Sequence, residues 1–261
     1  MVAKQNEVVA AQSNGLALPS DVLARLAAKA QNVAAAERPS VSKFGLKSGV
    51  LSYGGNPIPN NEVEVIVLTA VHRNTWYAGR YDPNNIVNPN CFSMSLSGED
   101  MVPDKVVTDP PHSTCKGCPK SEWKSDPNTL KGKACKESRR LVLIPATVLQ
   151  DADPAAAVMA AELAIMDLPV TSGKNYSNFV NSLAAVANVP PYAAVTNIKV
   201  TPDAKTQFKV NFTPLNVVPS MEILDAIEKR IPEAERLGMQ GYDDVASNVP
   251  SPRETERKTK F

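Results

Sequence analysis

The chain is poor in histidine, cysteine and aromatic residues, and each scarcity excludes something. Its 261 residues include two histidines, His72 and His112, so acid–base chemistry built on imidazole has few candidates. There is no G-x-x-x-x-G-K-[ST] loop, no G-x-S-x-G elbow and no H-E-x-x-H pair, and Ser172-Gly173-Lys174 lacks the upstream glycine of a phosphate-cradling loop. A non-enzymatic protein is expected. Long hydrophobic runs are missing too. The longest wholly apolar stretch, Ala155 to Ala161, has seven residues, against roughly 20 for a membrane-spanning helix. The first residues set Lys4 and Glu7 among small side chains, without the hydrophobic segment of a secretory leader. Neither membrane insertion nor export is expected, and in a reducing compartment the four cysteines are more often metal ligands or small buried hydrophobes than disulfides. An excess of one charge is also lacking. The 28 Lys+Arg stand against 27 Asp+Glu, a net +1, which at face value argues against a polyanionic partner.

What is present points to a mainly β chain with flanking helices, an α+β protein. Hydrophobic residues make up 43% of the chain, enough for a core, and 22 prolines favour strands and loops. Residues 1–40 read as a lead followed by an Ala-rich helical arm: Ser20 can cap a helix to about Glu37, stopped by Pro39. The arm either packs on the main domain or serves as an oligomerisation or partner helix. Strands are expected over 44–53, 62–71, 76–81, 92–96, 140–145 and 163–168. In the second of these both faces are apolar, as in a central barrel strand. A helix after Thr171-Ser172 should turn Tyr176, Phe179, Val180, Leu183 and Val186 inward, and 198–201 with 207–212 read as a hairpin. A C-terminal helix over 217–237 should be interrupted at Pro232, with a polar, flexible tail over 238–261. The order of elements is that of a Greek-key barrel over 41–216, elaborated by a long polar insertion over 97–138.

Cys115-Lys116-Gly117-Cys118 is a C-x-x-C unit, and sixteen residues separate Cys118 from Cys135. That spacing suits a zinc knuckle, in which a tight turn lets two thiolates converge on one ion while a later segment supplies more ligands. Tetrahedral zinc needs a fourth ligand, and Cys91 and His112 are the candidates. Strand alternation places Cys91, Ser93 and Ser95 opposite Phe92, Met94 and Leu96, turning Cys91 from the apolar side. A redox dithiol would instead be expected beside a βαβ pattern, which is absent, and unligated buried cysteines would need a core that this insertion does not offer. Trp123, within the insertion, is read as a cap on the metal site.

The charge is unevenly spread. Between His112 and Arg140 lie eight bases, among them Lys131, Lys133, Lys136, Arg139 and Arg140, against three acids, a local excess of five. The remainder is then net negative by four, much of it in residues 220–244. Such a loop can seat phosphates, or it can be a solvated loop that lysines keep soluble. Upstream, Arg73, Trp76, Tyr77, Arg80 and Tyr81 interleave cations with rings, a pattern that can stack unpaired bases while holding phosphates.

These features in their order resemble a known family. Gly49 to Gly55, the strand near 63–71, Tyr77 to Asp82, Pro89-Asn90-Cys91-Phe92-Ser93, Cys115-x-x-Cys118-Pro119, Gly132-Lys133-Ala134-Cys135, Leu168 to Ser172 and the hairpin ending at Phe212 look like the zinc-containing single-stranded DNA-binding proteins of tailed bacteriophages. The resemblance covers about residues 44–215. It implies an OB-fold barrel with one structural Zn2+, binding single-stranded DNA in phage replication, recombination and repair, in the cytoplasm of the infected bacterial host. It implies replication or recombination proteins as partners, and it supports Cys91 as fourth ligand. One departure is the end of the chain, where Pro250 to Phe261 carries four bases and two acids in place of the acidic tip common in such proteins. A different reading of the same motifs is a zinc-braced interaction subunit that docks on a viral polymerase or replisome.

Overall fold

The computed structural model describes residues 42–79 and 87–242, together with Val22, Arg25, Leu26 and Lys29. Contacts divide the chain into Met1–Ser40 and Val41–Phe261. In the first unit the four described residues are helical and fall inside the helix expected from Ser20; the rest of that arm lies outside the described residues.

The second unit is built on one sheet. Its strands are β1 (Ser42–Lys47), β2 (Val50–Tyr53), β3 (Asn56–Pro57), β4 (Glu62–Trp76), β5 (Cys91–Ser95), β6 (Lys136–Pro145), β7 (Ala164–Leu168), β8 (Ala194–Asp203) and β9 (Gln207–Val217), with helices α1 (Pro154–Ala160), α2 (Gly173–Ser182) and α3 (Met221–Gly238). The order is β3-β2-β1-β7-β6-β4-β8-β9, with β5 added to β4. The sheet is strongly curled but open, a half-barrel compatible with an OB-like barrel. β1 and β7 pair in parallel, and the other ladders are antiparallel.

β4 organises the sheet because it is apolar on both faces. Val65 and Val67 join Leu141, Leu143, Met166, Ile198 and Val210 under α2, where Tyr176 and Phe179 close the front layer. Ile66 and Leu68 join Val142 and Ile144 against Val158 of α1 and Ile223, Ile227 and Ala234 of α3, forming the back layer. The pairing of β4 with β6 shifts register between Val67 and Thr69. This bulge exchanges the faces: beyond it Ala70 lies opposite Leu141 of the front layer, so His72, Asn74 and Trp76 also face front. Of the strand expected over 76–81, Trp76 ends β4 and residues 77–79 are irregular, while residues 80–81 lie outside the described residues.

β9 is an edge strand, and its edge is blunted. The Val210 N–H donates to Ser172 Oγ at 3.0 Å and its carbonyl accepts from Asn175 Nδ2 at 3.0 Å, while Pro214 has no N–H to offer. Past α2 the chain widens into a π-helical turn, Leu183–Ala187, which leaves Val186 85% exposed instead of inward.

α3 does not break at Pro232. The proline removes one backbone hydrogen bond, but the helix is held on both sides of it, by Ile223, Ala226 and Ile227 before and by Ala234 and Gly238 after. Buried Arg230 ties α3 to α1. It donates to the carbonyls of Val158 (2.8 Å), Met159 (2.6 Å) and Ala161 (2.9 Å), satisfying the open C-terminus of α1, and to Glu233 at 2.9 Å. Arg230→Ala orphans those carbonyls and should cost about 3 kcal/mol. Urea unfolding should show an earlier midpoint at unchanged slope. Of the flexible tail expected over 238–261, the part up to Tyr242 is packed, the Tyr242 ring meeting Phe92 edge-on at 5.0 Å, and residues 243–261 lie outside the described residues.

Candidate metal centre and nucleic-acid interface

Three segments bring the four cysteines together. Cys91 opens β5 opposite Trp76 in the ladder with β4, so it faces front with Asn74 and Trp76. Cys115 and Cys118 flank a turn at Gly117, whose φ of +77° is a conformation that glycine alone adopts cheaply. Cys135 immediately precedes β6, its N–H donating to the Lys120 carbonyl at 2.8 Å, while the Cys115 N–H donates to Met101 at 2.8 Å. All four are free thiols and line one cavity of about 10 Å3, the room of a single water or ion, with Asn74, Trp76, Ser93 and His112.

The thiols sense one another. Burial, then the charges of Cys115 and Cys118, raise the Cys91 thiol above its ordinary value. Burial and the other three cysteines push Cys135 up to about 11, against a hydrogen bond from Ser121. Among the described residues no three His, Cys, Asp or Glu side chains stand close enough to hold a metal ion as they are. The donor set nonetheless suits zinc: four sulfurs around an ion-sized space, in positions where negative charge is costly without a cation. His112 also reaches the cavity, but its Nδ1 lies 2.9 Å from the Thr114 carbonyl, and the thiol set includes Cys91.

The insertion between β5 and β6, residues 96–135, has almost no hydrocarbon interior. Its buried residues are Cys118, Asp126 and Cys135. Asp126 accepts from Lys136 Nζ and from the Asn128 N–H, both at 2.9 Å, and the Lys136 bond, foremost, holds its carboxyl down to about 2. Ser125 Oγ donates to backbone carbonyls of this loop and accepts from Ala134 N–H at 2.9 Å.

The expected DNA-contacting residues fall into two groups. On the insertion side, Lys120 Nζ lies 4.8 Å from the centre of the half-buried Trp76 ring, and Lys133 Nζ lies 5.9 Å from that of Trp123. Trp123 is 74% exposed and does not line the cysteine cavity, which corrects its reading as a cap. Tyr77 is 42% exposed. Lys131 is exposed, Lys133 pairs with Glu137 at 2.6 Å, and Arg139 is half-buried, donating to the Ser138 carbonyl. Arg73 and Arg140 belong to the back face, with internal partners that the sequence reading did not foresee. Both bind Asp167, at 3.0 and 2.9 Å, and Arg140 also donates to the carbonyls of Gly238 and Gln240. Arg80 and Tyr81 lie outside the described residues. Lys120 and Trp123 are the ring-and-cation residues that sequence reasoning did not assign to DNA. Their signal was a tryptophan in a segment with nothing apolar to pack against.

Among the described residues no helix is long and apolar enough to cross a membrane. Comparisons with protein-family models, with curated proteins and with solved structures find no match for this chain.

Proposed function

We propose that this protein coats single-stranded DNA with little sequence preference, as a non-enzymatic participant in phage replication, recombination and repair in the host cytoplasm. One structural zinc ion, held by Cys91, Cys115, Cys118 and Cys135, braces its insertion. The observation that carries the reading is the pairing of an ion-sized four-thiol cavity with two tryptophans, Trp76 at the end of β4 and Trp123 in the insertion, each overlaid by a lysine of the insertion. When bound, zinc supplies a closed tetrahedral anchor and takes up the charge of the thiolates. The rings of Trp123, Tyr77 and Trp76 stack bases, and Lys120, Lys131, Lys133, Lys136 and Arg139 take phosphates. By sequence, Arg80 and Tyr81 extend the same ring-bearing segment. Arg73 and Arg140 act from behind, holding the strands that present the site. The net negative remainder of the chain confines a polyanion to this side.

The two tryptophans of the chain both belong to the proposed surface, so titration with a single-stranded oligonucleotide at low salt should quench their fluorescence. Because Trp123 is exposed, Trp123→Ala should leave stability unchanged and cost about 1–3 kcal/mol of binding, roughly 5- to 150-fold. An unquenched wild type, or a Trp123→Ala protein that binds as the wild type does, contradicts the assignment. The inward commitment of Arg73 and Arg140 favours a second reading, the zinc-braced subunit docking on a viral polymerase or replisome. There, capture of the partner survives alanine at Trp76 and Tyr77.

A further inference from the structure

Ser93 lies in the middle of β5, two residues after Cys91 and opposite Asn74 of β4, so it shares the front face of the strand with Cys91. It is 1% exposed and lines the cavity of the four cysteines. Its Oγ is a buried oxygen without a hydrogen-bond partner. An orphaned hydroxyl at such a site is costly to folding, and alanine would avoid that cost. The neighbouring atoms explain why a hydroxyl stands there. A neutral thiol accepts hydrogen bonds weakly, whereas a thiolate accepts them strongly. Cysteines lose their protons when they take a metal ion. The four thiols line an ion-sized space, and the hydroxyl facing it is unpaired; thiolate formation on metal entry would supply the missing acceptor. A second hydroxyl residue, Ser121, also lines the cavity beside the cysteines.

We propose that Ser93 is a positioning residue of the metal centre, its hydroxyl donating to a thiolate of the zinc-loaded cluster and fixing that ligand. This rests on the zinc reading above. The serine keeps its proton throughout, and the charge that it stabilises is the one left on sulfur by thiol deprotonation.

The test uses the full chain and its Ser93→Ala variant, with zinc itself as probe. Competition against a chromophoric chelator should show zinc affinity about 10- to 100-fold lower in the variant, the usual loss when an outer-shell partner of a metal ligand is removed. Cobalt(II) substitution should show a shifted sulfur-to-metal charge-transfer band. The metal-free variant should unfold at the same or a higher urea concentration than the metal-free wild type, because the orphaned hydroxyl is gone. Equal zinc affinity in both proteins, or a metal-free variant destabilised as much as the loaded one, overturns the role of Ser93 and leaves the zinc reading standing. A wild type that takes up no zinc overturns the metal reading, and this proposal with it.

Discussion

Replacing Asp167 with alanine is expected to cost about 3–5 kcal/mol of folding stability, the loss typical of leaving buried charge without its counter-ion. Asp167 sits on β7 with its side chain toward the back of the sheet, where Lys43 (2.8 Å), Arg140 (2.9 Å) and Arg73 (3.0 Å) converge on it. The side chains of Arg140 and Arg73 are 8% and 12% exposed, so neither can return to water when the carboxylate goes. Arg140 also carries the backbone after α3 through Gly238 and Gln240, and Arg73 lies 5.9 Å from the centre of the Tyr242 ring. The loss should therefore loosen residues 239–242 together with β6 and β7. The network predicts a pH dependence as well. Burial alone would raise the Asp167 carboxyl, but Arg73, Arg140 and Lys43 outweigh it and hold it well below the usual carboxylate range. A depressed folded-state value contributes stability that is fully present above the unfolded value of about 4 and is lost as pH falls below it. Urea midpoints should fall as pH drops from about 4 toward 2 in the wild type, and less steeply in Asp167→Ala. Equal slopes would mean that Asp167 is not the group titrating.

This network was not legible in the sequence. The partners of Asp167 lie 27, 94 and 124 residues away, and a lone acid in Ala-Ile-Met-Asp-Leu looks like an interruption of a buried strand. The double-sided β4 was legible because its valines, isoleucine and leucine occupy both parities, which a strand allows only when both faces are covered. The bulge at Leu68 was not, since one extra residue leaves no mark on composition, yet it decides that Trp76 faces front with Cys91. α1 escaped notice because Pro-Ala-Ala-Ala-Val-Met-Ala is an apolar run without amphipathic period; the Asp153 cap that accepts from Ala156 N–H was its one local sign. Pro232 misled in the opposite direction, because local propensity yields where packing holds both halves of a helix. At the candidate site, spacing pointed to the three cysteines of the insertion. Only the ladder between β4 and β5 shows how Cys91 reaches them.

Removing the proposed zinc ion should produce the second large effect. Residues 96–135 bury two thiols and one carboxylate and leave Val102, Val106 and Leu130 more than half exposed, so hydrophobic burial contributes little to their order. Structural zinc sites contribute apparent free energies of about 10–16 kcal/mol in peptides at neutral pH. A loop with this interior has nothing of that size in reserve. Chelation should abolish hydrogen-exchange protection across 96–135 while β4, β6 and β8 keep theirs. Affinity for single-stranded DNA should fall by about ten-fold or more, because Lys120, Lys131, Lys133 and Trp123 lose their fixed positions. Unchanged exchange in the loop after complete chelation would show that its hydrogen bonds suffice.

The measurement that bears most directly on the central claim is a salt-graded binding titration with a single-stranded oligonucleotide and its duplex. The proposed surface predicts tight binding to the single strand at low salt, with log K falling linearly against log salt by about 0.7 per phosphate neutralised, and weaker binding to the duplex, whose bases are closed to stacking. Equal affinity for both forms, or no binding to the single strand at low salt, would contradict it.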